Sequence, residues 1–82
     1  MNPIKIFLFA TLAETIGSRS ILVELPNGRT VAELKEYLVA SYPRLSPSRN
    51  SMLVAVNREY AADDQVIPAG AEVALFPPVS GG

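Results

Sequence analysis

The chain has 82 residues, 49% hydrophobic and 18% charged, a balance that fits one small folded domain and excludes disordered and fibrous classes. It holds no cysteine and no histidine, which removes disulfide scaffolds, zinc sites built on Cys or His, thiol nucleophiles and every Ser-His or Cys-His pair. Seven basic against eight acidic residues leave a formal charge of −1, with no electrostatic footprint for nucleic acid or an anionic membrane.

Residues 4–10 (IKIFLFA) are rich in β-branched and aromatic side chains and read as a strand. Alternation sends Ile4, Ile6 and Leu8 to one face and Lys5, Phe7 and Phe9 to the other. Residues 11–16 form a short helical turn that Gly17 stops. Residues 20–25 (SILVEL) are a second strand with Ile21, Val23 and Leu25 on its apolar side, closed by turn chemistry at Pro26, Asn27 and Gly28.

The clearest local signal comes next. Thr30 and Glu33 have capping-box spacing, in which the Thr30 hydroxyl accepts an early helix N–H and Glu33 accepts from the Thr30 amide. Val31, Leu34, Leu38 and Tyr42 recur at helical spacing, with Glu33, Lys35 and Glu36 expected in solvent. Pro43 ends this helix, and residues 43–51 (PRLSPSRNS) have loop composition. Residues 52–56 (MLVAV) are a third strand, Asn57 and Arg58 a tight turn, and residues 59–61 a short fourth strand. After a turn at Pro68, Ala69 and Gly70, residues 72–76 (EVALF) form the last strand. Pro77 and Pro78 forbid its extension, because proline cannot donate to a ladder.

This order implies an α+β roll: a mixed sheet with one main helix packed on one face, residues 1–82 forming a single domain and residues 77–82 projecting as a flexible tail. No run approaches the roughly 20 apolar residues that span a bilayer. Residues 6–13 behind Lys5 reach the minimum length of a secretory h-region. Glu14 follows at once, however, and no small-x-small cleavage site precedes the next apolar segment. The expected location is the cytoplasm.

Few residues offer chemistry of their own. Asp63 and Asp64 are the one acidic doublet, and without further ligands at useful spacing they read as a solvated turn. Arg44, Arg49 and Arg58 read as solvated loop residues, and Asn57 and Tyr60 as hairpin geometry and packing. Phe7, Phe9 and Phe76 differ. If Ile4, Ile6 and Leu8 face the helix, and Val73 and Leu75 point inward beside them, these aromatics form an exposed apolar patch with Ala74. Such patches mark a partner surface; loops over that face, or reversed parity, would bury them instead.

The tail is the sharpest feature. Pro77 and Pro78 stiffen the exit from the sheet. Gly81 and Gly82 lack Cβ atoms, so an active site can close around their backbone in a narrow channel. A carboxylate at Gly82 becomes an acyl donor once its oxygen is made a leaving group, as adenylation by ATP would do. The chain supplies no nucleophile or base for that step, so partners must.

The ending FPPVSGG (residues 76–82), preceded by GAEVAL (residues 70–75), resembles the small subunits of molybdopterin synthase, a family of ubiquitin-like β-grasp sulfur carriers. The likeness continues through VAVNREY (residues 54–60), LPNGRTVAELKEYL (residues 25–38) and IKIFLFATLAETIG (residues 4–17). The resemblance implies a non-catalytic sulfur-donor subunit that binds no cofactor itself. A ubiquitin-activating-like enzyme would adenylate Gly82 with ATP, and a sulfur donor protein would convert the acyl-adenylate to a thiocarboxylate. The tail, Pro77, Pro78, Val79, Ser80 and Gly81, would then insert into the large synthase subunit and deliver sulfur to cyclic pyranopterin monophosphate. Phe9 and Phe76 match the family's docking positions, and two carriers per large-subunit dimer, a heterotetramer, would be expected. The same tail chemistry would also serve a sulfur carrier for cysteine synthesis or tRNA thiolation, or a ubiquitin-like modifier of lysines. Two departures stand out: Leu12-Ala13-Glu14 where many members have Leu-Arg-Glu, and Gly70-Ala71-Glu72 where Gly-Asp-Glu is usual. The first leaves a charged partner contact missing or replaced.

Overall fold

A computed structural model describes residues 2–78. The elements run β1 (Asn2–Leu8), α1 (Ala10–Ile16), β2 (Ser20–Leu25), α2 (Val31–Ser41), a 3-10 helix (Pro43–Ser48), β3 (Leu53–Val56), β4 (Glu59–Tyr60) and β5 (Glu72–Phe76). Five strands form one sheet in the order β2-β1-β5-β3-β4. The central pair, β1 and β5, is parallel, with Lys5 opposite Glu72 and Leu8 opposite Leu75; the other pairs are antiparallel. A mixed sheet grasping one main helix is the β-grasp arrangement.

The helix side holds the core. Ile4, Ile6 and Leu8 of β1, Val23 and Leu25 of β2, Val54 and Val56 of β3, and Val73 and Leu75 of β5 pack with Val31, Leu34 and Leu38 of α2. Leu34, Leu38 and Leu75 are fully buried, each contributing about 2 kcal/mol of apolar transfer. The expected strand parity holds, and α2 covers one sheet face.

The capping box forms as the sequence suggests. Thr30 Oγ1 accepts from the Glu33 amide at 3.3 Å, and Glu33 Oε1 accepts from the Thr30 amide at 3.0 Å. The remaining early amides of α2 go to the connection after β4: Val31 donates to the Gln65 carbonyl and Ala32 to the Asp63 carbonyl, both at 2.9 Å. The first turn therefore keeps no orphaned donor among these groups.

Five expectations need correction. Lys35 is not in solvent: only 6% of its surface is exposed, and its Nζ donates to Asp63 Oδ1 at 2.8 Å. It stands four residues after Val31 and three before Leu38, inside the helix's apolar stripe, and the stripe decides its direction despite the charge. Asp63 does lie in a turn, but it is the partner of that ammonium and no merely solvated residue. Residues 43–48 are helical because Pro43 takes the first position, where a missing N–H is harmless, and Leu45 anchors the segment in the core. The Arg49 guanidinium, read as solvated, pairs with Glu36. β1 also ends earlier than expected. Its ladder stops at Leu8, and Phe9 turns the chain into α1 while donating to the Leu75 carbonyl at 3.2 Å.

Candidate functional site

The face opposite α2 carries the aromatic residues singled out from the sequence. One row crosses four strands by direct pairing: Phe7 opposite Ala74, Ala74 opposite Ala55, and Ala55 opposite Tyr60. Two alanines in the middle and rings at both ends make a trough. Phe9 and Phe76 rise beside it, stacked at 4.6 Å between centroids and 9° between planes. Tyr60 meets the edge of Phe76 at 6.1 Å and 70°. The resulting open concavity has a volume of about 490 Å³ and is lined by these residues with Arg58 and Glu72. Phe9 is 44% and Tyr60 69% exposed, so the rings present an apolar surface that the other described residues leave open to solvent.

Charged groups border the rings. Lys5 Nζ stands 5.2 Å from the Phe7 centroid, a cation–π contact. Asn57 and Arg58 form the two-residue β3–β4 connection, both with positive φ, 51° and 72°, as a type I′ hairpin requires. Asn57 donates its amide to the Glu72 carbonyl at 2.7 Å and accepts from the Glu72 amide through Oδ1 at 2.9 Å. That turn is thereby tied to the start of β5. Arg58 Nε reaches Glu72 Oε2 only at 3.5 Å. On the far side of Phe9 a second notch is lined by Ala10, Ala13 and Arg19. The position where family relatives were expected to carry an arginine, Ala13, thus lies beside another arginine.

The two carboxyls with shifted titration sit with α2, away from these rings. Glu33 is held below its ordinary value by the Thr30 amide and then by Arg29. Asp63 is held below its own by the hydrogen bond from Lys35. Among the described residues no cluster of Asp and Glu side chains could hold a metal ion, and no helix is long and apolar enough to cross a membrane.

Phe7, Phe9 and Phe76 are thus brought together on one face. Pro77, half-buried, and Pro78, exposed, continue from Phe76, so the chain leaves the sheet at the edge of the stacked rings. Val79, Ser80, Gly81 and Gly82 lie outside the described residues. Tyr60, assigned from sequence to hairpin packing, belongs to the face instead. A two-residue loop at Asn57 and Arg58 fixes the register that pairs Ala55 with Tyr60, and that register was the available signal.

Comparison with known proteins agrees with this architecture. The family model described as the ThiS family matches residues 6–82. The molybdopterin synthase sulfur carrier subunit of Dictyostelium discoideum is 43% identical, covering 99% of this chain and 98% of its own. That of Escherichia coli is 34% identical, covering 96% and 99%. The crystal structure of the Haloferax volcanii small archaeal modifier protein 1 is 36% identical with a TM-score of 0.84, covering 96% of this chain and all of its own. With a family model matched across nearly its whole length, this chain belongs to the ThiS family.

Proposed function

We propose that this chain is the sulfur carrier subunit of a molybdopterin synthase, with Gly82 as the reactive end. The observation that carries the reading is the continuity between β5 and the tail. The strand that places Phe76 on an exposed aromatic face runs directly into PPVSGG, so a protein that docks on the rings also receives the tail. Similarity to carriers of that name over nearly their full length supports the choice of pathway.

The chemistry follows from the carboxyl group. A Gly82 carboxylate oxygen attacks the α-phosphorus of ATP in a ubiquitin-activating-like enzyme, and pyrophosphate leaves. A sulfur donor protein then hands over sulfur at the sulfide level, which attacks the acyl carbon; AMP leaves with the former carboxylate oxygen, and a thiocarboxylate remains. The large synthase subunit takes the tail into a channel that the missing Cβ atoms of Gly81 and Gly82 keep narrow. There the thiocarboxylate sulfur bonds to cyclic pyranopterin monophosphate, water cleaves the acyl–sulfur bond to return the Gly82 carboxylate, and two such transfers supply the two sulfurs of the dithiolene. In this reading Phe7, Phe9 and Phe76 dock on the large subunit, two carriers serve one large-subunit dimer, and the reaction takes place in the cytoplasm. The small subunit acts as a donor, and catalysis belongs to the partner.

The likeness to a small archaeal modifier protein favours one second reading, conjugation through Gly82 to lysines of other proteins. Intact mass after incubation with ATP, the activating enzyme and a sulfur source separates the possibilities. A gain equal to exchange of one oxygen for sulfur, located at Gly82, supports the carrier. Lysine conjugates in cells that vanish when Gly82 is deleted, without that mass gain, support the modifier.

A further inference from the structure

Backbone strain gathers around the aromatic face. Among the described residues the non-glycine positions with positive φ are Ala10, Asn57 and Arg58. Ala10 lines the notch beside Phe9, and Arg58 lines the trough. Asn57 has a local explanation, since asparagine tolerates this region and its side chain caps the Glu72 amide. Arg58 has none. It occupies the second central position of a type I′ turn, where glycine is preferred. Its side chain is 88% exposed, with one contact at 3.5 Å, and exposed pairs of that kind add little stability. Strain of this sort persists where a surface is used.

Charge points the same way. Although the chain is net negative, Lys5 lies on Phe7, Arg19 lines the notch and Arg58 lines the trough, against Glu72 as the one acidic residue lining either hollow. Arg19 has no carboxylate within 4.0 Å among the described residues.

We propose that Arg58 is a specificity contact. Its guanidinium pairs with a carboxylate at the rim of the apolar site on the large synthase subunit that receives Phe9 and Phe76, and the left-handed turn is retained because it aims that group. The inference rests on the docking reading above and adds the partner's chemistry, an apolar cleft edged by acid.

The test compares wild type with Arg58→Gly, Arg58→Lys and Arg58→Glu, measuring the melting temperature and the affinity for purified large subunit at low and high salt. Arg58→Gly removes strain and guanidinium together. It is expected to melt at or above wild type yet bind about tenfold more weakly at low salt, with the gap closing as salt rises. Arg58→Lys should retain part of the affinity, and Arg58→Glu should bind worst. Wild-type affinity in Arg58→Gly overturns the proposal, as does a melting temperature several degrees below wild type, which would mean that the arginine serves the fold. Wild type that does not bind the large subunit overturns the docking reading itself, before any substitution is made.

Discussion

Phe9, at the start of α1, and Phe76, at the end of β5, stack face to face although they lie at opposite ends of the chain. Each ring limits the other's freedom, so the pair forms a rigid ridge with little rotamer entropy left to lose on docking. Phe9→Ala and Phe76→Ala should each weaken large-subunit binding by about 2 kcal/mol. A double-mutant cycle in the free protein should give a coupling of about 1 kcal/mol. A cycle with no coupling, read by urea unfolding, would show that the stack carries no energy of its own.

The trough exists because Ala55 and Ala74 are small. Ala74→Leu adds a β-compatible side chain on an open sheet face, so stability should change by less than about 1 kcal/mol. Affinity for the large subunit should nevertheless drop about tenfold or more as the hollow fills. Calorimetric titration checks the affinity, and unchanged binding would place the contact on the ridge alone.

A residue added after Gly82, or Gly81→Trp, should abolish sulfur transfer and leave the melting temperature within about 2 °C of wild type. The comparison of single-turnover product with the thermal midpoint reads both. Full activity in either variant would remove the narrow-channel mechanism.

Lys35 and Asp63 give a pH-dependent element on the other side of the molecule. The Asp63 carboxyl is lowered by its hydrogen bond from Lys35. A group whose folded pKa is depressed contributes stability above its unfolded value and loses it as pH falls through the folded one. Glu33, lowered by the Thr30 amide and Arg29, has the same sign. The urea midpoint should therefore hold from pH 7 to about 5 and fall below about pH 4, less steeply in Asp63→Asn. At pH 7, Asp63→Asn removes the charge from a half-exposed partner but keeps an amide oxygen that can accept from Lys35, and should cost about 1 kcal/mol or less. Lys35→Met keeps the apolar stripe and should be nearly neutral. A greater loss for Lys35→Met would mean that the ion pair itself stabilises the fold.

What the sequence makes legible depends on how local the cause is. The start of α2 is written in Thr30 and Glu33, and the last strand lies between Gly70 and Pro77, so both emerge as expected. Parity within β1 follows from alternation, which is why Phe7 and Phe9 fall on the open face. Lys35 is misread because a charge at a stripe position has two outcomes, and the choice is made by Asp63, distant in sequence. Tyr60 hides in a strand of two residues, too short to show alternation. The parallel pairing of β1 with β5 rests on contacts between the two ends of the chain, and no local pattern encodes it.

That central pairing has a consequence for synthesis. Take β5 away and the sheet separates into two hairpins, β2 with β1 and β3 with β4, that share no hydrogen-bonded edge. β5 is also translated after the other four strands of this sheet, and it supplies Glu72, Ala74 and Phe76 to the aromatic face. Long-range pairing of this kind forms late. A ribosome-bound chain interrupted before residue 72 therefore has neither a finished sheet nor the three residues that β5 adds to the aromatic face. On the function proposed above, an enzyme that recognises this face and charges Gly82 would meet a finished docking surface only once residues 72–76 have been made, so folding order itself would hold charging back until β5 is in place.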